Sequence, residues 1–320
     1  MKRLLLLIGW LITSFVSSTG AETIIRVPDD YGTIAEAISA APDGAVIEIA
    51  EGDYWESIQI DRPLSLLGDG QVILHAVGDE AVIAITDTHN VVIEGLHLQG
   101  GKYGIFVTRS QRVQIQHNLI EGSRLVGIKV RMASVRIVGN IIQNALAPYG
   151  RGIHITNTTD YPPSQVLENT IQGNALSGIS TNMTSLVVIE RNTLQENGQI
   201  GIAVTEMSHA VVRGNQVESN GENGIYITDQ SLAAVCDNTI RDTYLTHNGG
   251  SGRYGNGITI DFYSIVELRD NTVDNNARYE VGVVGFSQVT IGGQGSNTIE
   301  LWLETGSSQL PNADLPFRCG

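Results

Sequence analysis

The sequence predicts an all-β parallel solenoid. Three observations carry that expectation: a short phrase repeated down the chain, period-two alternation of Ile and Val within it, and an Asn that returns in step. The phrase is Gly-Ile-x-Val, then a short polar turn and a second strand of the form Val-x-Ile-x-x-Asn-x-Ile; GIFVTRSQRVQIQHNLI from Gly104 is the fullest copy. Further copies are GIKV from Gly127, GIHI from Gly152, GIST from Gly178, GIAV from Gly201, GIYI from Gly224, GITI from Gly257 and the worn GVVG from Gly282. The steps between them are 23, 25, 26, 23, 23, 33 and 25 residues. A period in the low twenties marks a stack of coils, each of which acquires a core only against its neighbours. Leucine-rich repeats share this period, but they need a Leu-x-x-Leu-x-Leu frame and a helical return, whereas alternating Ile and Val argue strand.

The elements follow in chain order. Lys2 and Arg3 precede an apolar run from Leu4 to Val16, and Thr19, Gly20 and Ala21 offer small residues for cleavage. Residues 1–21 therefore read as a secretory signal peptide, with an uncleaved anchor as the other reading. No later segment is apolar for long enough to span a bilayer. Thr33 is placed to cap a short helix with Ile34, Ala37, Ile38 and Ala41 as its apolar face, and Gly44 is placed to end it. Such a helix would plug the open N-terminal end of the cylinder, ahead of strands at 46–50, 58–60 and 64–67. Residues 22–302 are expected to form one β-helix domain and 303–320 a C-terminal tail.

Within each coil the Ile and Val of Gly-Ile-x-Val point inward and the residue between them points out, because successive strand side chains take opposite faces. Stacking in register then builds columns of like residues. Asn118, Asn140, Asn169, Asn192, Asn215, Asn238, Asn271 and Asn297 hold one equivalent position after the second strand, as a buried amide ladder requires. The first coil departs from the pattern, with Leu96 in the Asn slot. These repeats, with the N-terminal stretch VPDDYGTIAEAISAAPDGAVIEIAEGDYWESIQIDRPLSLLGDG, resemble the right-handed parallel β-helix families of pectin-lyase-like fold. The NosD-like group of β-helix repeat proteins is the nearest in kind. The resemblance implies fold more than function, since this architecture hosts lyases, hydrolases, esterases, epimerases and non-enzymes.

Composition narrows the partners. The chain carries 19 Lys and Arg against 34 Asp and Glu, a net of −15, which disfavours nucleic acid and anionic membrane surfaces. No Cys/His cluster has metal-ligand spacing, and neither a metal nor another cofactor is expected. Cys236 falls in an outward register shared with Glu190 and Arg213, and Cys319 is penultimate; in an oxidising compartment they either join or remain two thiols.

One window breaks the acidic trend. Lys102, Arg109, Arg112, Arg124, Lys129, Arg131, Arg136 and Arg151 face the single acid Glu121. Folding the pattern gives one outward column of Phe106, Lys129, His154, Ser180, Ala203, Tyr226 and Thr259, and a second of Thr108, Arg131, Thr156, Asn182, Thr205, Thr228 and Asp261. Lys129, Arg131 and His154 thus stand on adjacent rungs, with Arg109, Arg124 and Arg151 bordering them. Such a row suits a linear polyanion: Arg grips carboxylates with two bonds, and Phe106 and Tyr226 offer rings for sugars. The other reading is that exposed strand positions tolerate charge and that Lys and Arg resist unwanted sheet stacking.

The resemblance implies that substrate binds this sheet face. Calcium-assisted elimination is disfavoured, because acidic ligands are absent from the basic window, and the aspartate clusters of polygalacturonases and esterases and the Asp-Pro-His-Asp motif of alginate epimerases are missing. The remaining catalytic candidates are Lys129, Arg131, His154, His247 and Asp261. The insertion before Gly257 carries His247, Arg253 and Tyr254 within reach of Tyr226, Asp229 and Asp261. The expectation is an exported protein that binds or modifies a uronate-type polysaccharide, as a lyase, epimerase or hydrolase if it is an enzyme. The alternative is a non-catalytic NosD-like accessory or scaffold that binds a protein partner.

Overall fold

The structure, a computed structural model, describes residues 23–158, 162–245, 254–292 and 301–310. Among these, eleven parallel strands form one wall, here the front, from Ile58–Ile60 through Val126–Arg131 and Arg151–Thr156 to Leu301–Leu303. Two further walls run behind it, joined into one sheet by the long bent strands Ala45–Trp55, Leu64–His75 and His89–Gln99. Every strand pairing is parallel between successive coils, as in Ile105↔Ile128↔Ile153. The protein is therefore an all-β solenoid with one short helix, as its repeats predict. The last rung, Ser308–Gln309, falls within the stretch expected to be a tail.

The core is the stack of inward columns. Ile105, Ile128, Ile153, Ile179, Ile202, Ile225 and Ile258 follow one another in register, all fully buried. The Gly that opens each repeat is fixed by close approach. A Cβ at Gly178 would lie 2.8 Å from both Leu194 Cδ2 and the Gly201 carbonyl oxygen, so any side chain there pries two coils apart.

The Asn ladder is present from Asn118 to Asn271; Asn297 lies outside the described residues. Asn192 shows the pattern: its Nδ2 donates to Asn215 Oδ1 at 3.0 Å and to the Val166 carbonyl at 2.8 Å, and its backbone N–H donates to the same Asn215 Oδ1 at 2.9 Å. Each amide thus satisfies turn groups that a buried bend would otherwise strand. Leu96, the odd residue of the first coil, closes the series by donating its backbone N–H to Asn118 Oδ1 at 3.0 Å. Two shorter ladders accompany it. Asn174, Asn197 and Asn220 link at 2.9 Å, and the backbone N–H groups of Ser185, Ser208 and Ser231 each donate to the next serine Oγ at 3.2 Å.

The helix is Ile34–Ala40, with Thr33 Oγ1 accepting from Glu36 N at 3.2 Å. Glu56, from the first front-wall turn, accepts the N–H groups of Ile34 and Ala35 at 3.0 Å each. Ile34, Ala37 and Ile38 join the main hydrophobic core, so the helix seals the N-terminal end. It stops at Ala40 with Ala41 as its cap, earlier than Gly44, whose φ of +81° instead turns the chain into the next strand. Cys236 also needs correction. Its register beside Arg213 is the outward one expected, yet Cys236 and neighbouring Ala234 are fully buried in a small cluster apart from the main core. Cys236 is disulfide-bonded, and the chain's one other cysteine, Cys319, lies outside the described residues. Among the described residues no helix is long and apolar enough to cross a membrane.

Candidate functional site

The front wall carries the outward columns in the registers the repeat implies. Phe106, Lys129, His154, Ser180, Ala203, Tyr226 and Thr259 pair in succession, with Thr108, Arg131, Thr156 and Asn182 two residues along. Lys129 and His154 are direct neighbours: Lys129 Nζ lies 2.9 Å from His154 Nδ1. An ammonium can only donate, so Nδ1 accepts, and the ring's proton sits on Nε2, where it is donated to Asn182 Oδ1 at 3.2 Å. Asn182 Nδ2 in turn reaches Glu206 Oε1 at 3.5 Å.

Burial and like charge set the electrostatics. Desolvation, followed by the Arg151 and Arg131 guanidinium groups, lowers the Lys129 pKa to about 8. Desolvation, then Lys129 and Arg151, lowers His154 to about 4, so the imidazole is neutral from pH 5 to 8. Desolvation also lowers Arg151, although a guanidinium stays charged throughout. The salt bridges of the described residues include none from Lys129, Arg131 or Arg151. Lys129 and Arg151, half-buried without a carboxylate and with the exposed Arg131 beside them, pay a desolvation and repulsion cost that a bound anion relieves. Tyr103 and Phe106 lie below this cluster with ring centroids 5.4 Å apart, and Lys102 Nζ sits 5.5 Å from the Tyr103 centroid.

Other members of the basic window are already occupied. Arg109 forms a bidentate pair with Asp87 at 2.6 and 2.5 Å, and Arg124 pairs with Asp79. Arg112 and Arg136 face a different wall, where they line a cleft of about 400 Å³ with Ser134, Pro162 and Gln165. The expected row of cations therefore contracts to Lys129, Arg131 and Arg151 around His154.

Tyr226 and Asp261 form a second, separate centre. Tyr226 donates its hydroxyl to Asp261 Oδ2 at 3.1 Å, and Asp261 Oδ1 accepts the Phe262 N–H at 2.8 Å. Burial, with the Asp261 charge next, raises the Tyr226 pKa, which keeps the phenol protonated. Tyr254 contributes to the same shift, so the near end of the insertion does approach Tyr226; His247 and Arg253 lie outside the described residues. Asp261 and Thr259, expected on an open face, are fully buried. Thr259 is instead tied into polar contacts with Asn223 at 2.9 Å and Asn256 at 2.8 Å. Tyr226 stands four rungs from Lys129, roughly 19 Å at strand spacing, so no single bond of a substrate can meet both. His97, on the third wall, pairs with Glu121 at 2.9 Å. Among the described residues no group of three or more His, Cys, Asp or Glu is placed to hold a metal ion.

Comparison with known proteins assigns the fold to a family. The model of the right-handed β-helix region matches residues 81–240 and 132–300, well over half of the chain. The chain belongs to the right-handed β-helix family. A β-helix member of this kind is similar to a cell surface glycoprotein of Methanothermus fervidus, 29% identical over 130 residues, or 39% of this chain. It spans only 22% of that glycoprotein's length. Among solved structures the Dettilon tailspike protein superposes with a TM-score of 0.58 at 13% identity, covering 88% of this chain and 68% of the other. The catalytic unit of an α-1,3-glucanase from Streptomyces thermodiastaticus gives 0.52 at 15% identity, covering 86% and 65%. At such identities these structures share the β-helix fold with this chain.

Proposed function

We propose that this β-helix protein binds an acidic, uronate-type polysaccharide on its front wall, outside the cytoplasm. The observation that carries the reading is the trio Lys129, Arg131 and Arg151, gathered around a neutral His154 without an ion pair. Carboxylates spaced along an extended sugar chain supply the missing countercharge, Arg131 and Arg151 bind them with paired N–H groups, and Tyr103 and Phe106 offer ring faces. Export is supported by the N-terminal signal pattern and by the cell-surface name of the Methanothermus relative. An α-1,3-glucanase built on the same fold makes a polysaccharide ligand chemically reasonable. Lys129 adds a reactive option, since a pKa of about 8 leaves roughly a tenth of the amine unprotonated at pH 7 and able to accept a proton.

The test is titration with polygalacturonate and alginate by calorimetry, with the ultraviolet absorbance of unsaturated ends followed in parallel. Parent protein is expected to bind at least one of them, and Lys129→Ala with Arg151→Ala to weaken binding tenfold or more. Absorbance growth that depends on Lys129 would extend the function to elimination. No binding to any acidic glycan would reject the proposal and leave a scaffold that engages a protein partner.

A further inference from the structure

The third wall carries a strip unlike the front. Two outward columns run along it side by side. One is Trp55, His75, Gln99, Glu121, Gln143, Gln172 and Gln195, each paired in register with the next. Two residues before each stands the partner column of Asp53, Ile73, His97, Leu119, Ile141, Thr170 and Thr193. The strip extends six rung steps, roughly 29 Å at strand spacing.

Its first plate is a pair of stacked rings. Trp55 is 69% exposed and stacks on His75 with centroids 4.1 Å apart and planes 13° from parallel. Asp53 holds the His75 ring through Nε2 at 2.8 Å. The preceding strand, Ile24–Val27, pairs only with Val46–Ile49, so no described strand lies beyond Trp55 on the N-terminal side. The indole thus has one face supported and the other open to solvent. A large apolar ring held so costs hydration free energy, and a ring supported by stacking on one face loses less entropy when a ligand covers the other.

Beyond the plate the amides form a chain: Gln143 Nε2 donates to Glu121 Oε2 at 2.9 Å, Gln172 to Gln143 at 2.9 Å and Gln195 to Gln172 at 2.8 Å. Each amide nitrogen has two N–H groups; Gln143, Gln172 and Gln195 use one each in this chain, which leaves a donor beside an acceptor oxygen on those rungs, whereas Gln99 Nε2 already meets Glu121 Oε1 at 3.0 Å and His97 Nε2 at 3.2 Å. Aliphatic side chains lie alongside, Ile141 at 44% exposure. No Lys or Arg occurs in either column of these seven rungs, and the two carboxylates there, Asp53 and Glu121, each face a histidine, His75 and His97.

From this arrangement we propose a second binding site on the third wall, which takes an uncharged linear glycan. A terminal pyranose lies on Trp55, the following rings rest their C–H faces on Leu119 and Ile141, and their hydroxyls meet the Gln143, Gln172 and Gln195 amides. The absence of Lys and Arg, with Asp53 and Glu121 in the strip, disfavours a polyanion and separates this site from the front wall. Hydroxyls match the alternating donors and acceptors in a way that an apolar peptide does not.

Tryptophan emission reads this as the difference between parent and Trp55→Phe, because Trp55 faces water while Trp302 is stacked against Tyr279, 5.1 Å away, and the third tryptophan, Trp10, is common to both proteins. The full chain is titrated with cellohexaose, mannohexaose and chitohexaose, with polygalacturonate as competitor. At least one neutral hexasaccharide is expected to give a saturable change that polygalacturonate does not reverse and that Lys129→Ala with Arg151→Ala leaves intact. Trp55→Ala is expected to lose tenfold or more in affinity with an unchanged melting temperature; Trp55→Phe retains most of it, and Gln143→Ala with Gln172→Ala weakens binding several-fold. The proposal is overturned if no neutral glycan binds, or if Trp55→Ala leaves affinity unchanged and alters the sedimentation coefficient instead, since the plate is then a contact between copies.

Discussion

Lys129 is the residue on which the front wall turns, and its titration has opposite consequences for stability and for binding. Its folded pKa of about 8 lies below the ordinary 10.5 because burial and the Arg151 and Arg131 charges penalise the ammonium. A base with a depressed folded pKa holds fewer protons folded than unfolded between those two values, so folding stability contributed by this group rises with pH from about 8 to 10.5. Below pH 8 the penalty is present in full. Anion binding runs the other way, because the charge that attracts the carboxylate disappears above pH 8. Thermal melting and polygalacturonate affinity, each measured from pH 6.5 to 10 for parent and Lys129→Met, should differ with these opposed slopes. Parallel curves for the two proteins would mean that Lys129 titrates as an ordinary surface lysine. His154 is expected to show no titration between pH 5 and 8 in its imidazole proton resonances, given a pKa of about 4.

At the scale of the repeating element, the ladders distinguish what could be read from what could not. The Gly column, the Ile columns and the long Asn ladder were legible because stacking in register turns a three-dimensional constraint into a one-dimensional recurrence. The serine ladder carries the same signal, Ser185, Ser208 and Ser231 each seven residues after its Gly, but a short serine recurrence is faint beside the longer Asn column. Arg109 and Arg124 show the limit for the site. Their carboxylate partners, Asp87 and Asp79, sit a coil away in turns and loops whose spacing the repeat does not set. Asp261 shows another limit: Thr108, Thr156 and Thr228 in its column are buried as well, so the slot at the end of the strand closes in most coils although alternation makes it outward. Asn192→Ala tests the ladder as a unit. It removes the acceptor shared by Asn169 N and Nδ2, at 2.9 and 3.0 Å, and leaves the Val166 carbonyl without that donor. Urea unfolding should show a loss of about 1–3 kcal/mol, against less than about 0.5 for the exposed Gln114→Ala. Equal stabilities would mean that water replaces the amide without penalty.

For the whole molecule the decisive problem is its ends, because a parallel solenoid offers an open core and unpaired strand edges at each terminus. At the N-terminal end the answer is the helix Ile34–Ala40, laid across the first coil with Ile34 and Ala37 fully buried and Ile38 at 4% exposure. Its first N–H groups are bonded to Glu56 and Thr33, so the plug is latched to the coil it covers. The two walls argued to bind glycans both depend on this closure: the indole plate of Trp55 stands on the same first coil, and the front-wall cations need coils stacked at fixed spacing. Ile38→Asp places a carboxylate against the core top. Loss of packing and desolvation together should cost about 2–5 kcal/mol in urea unfolding. The uncovered coil should also raise concentration-dependent association in sedimentation velocity above the parent level. Ile24→Asp, at a position 43% exposed in the neighbouring strand, should change neither quantity appreciably. If Ile38→Asp instead unfolds with the parent and associates no more, the helix is an ornament on an end that is stable without it, and closure must be sought in the first coils themselves.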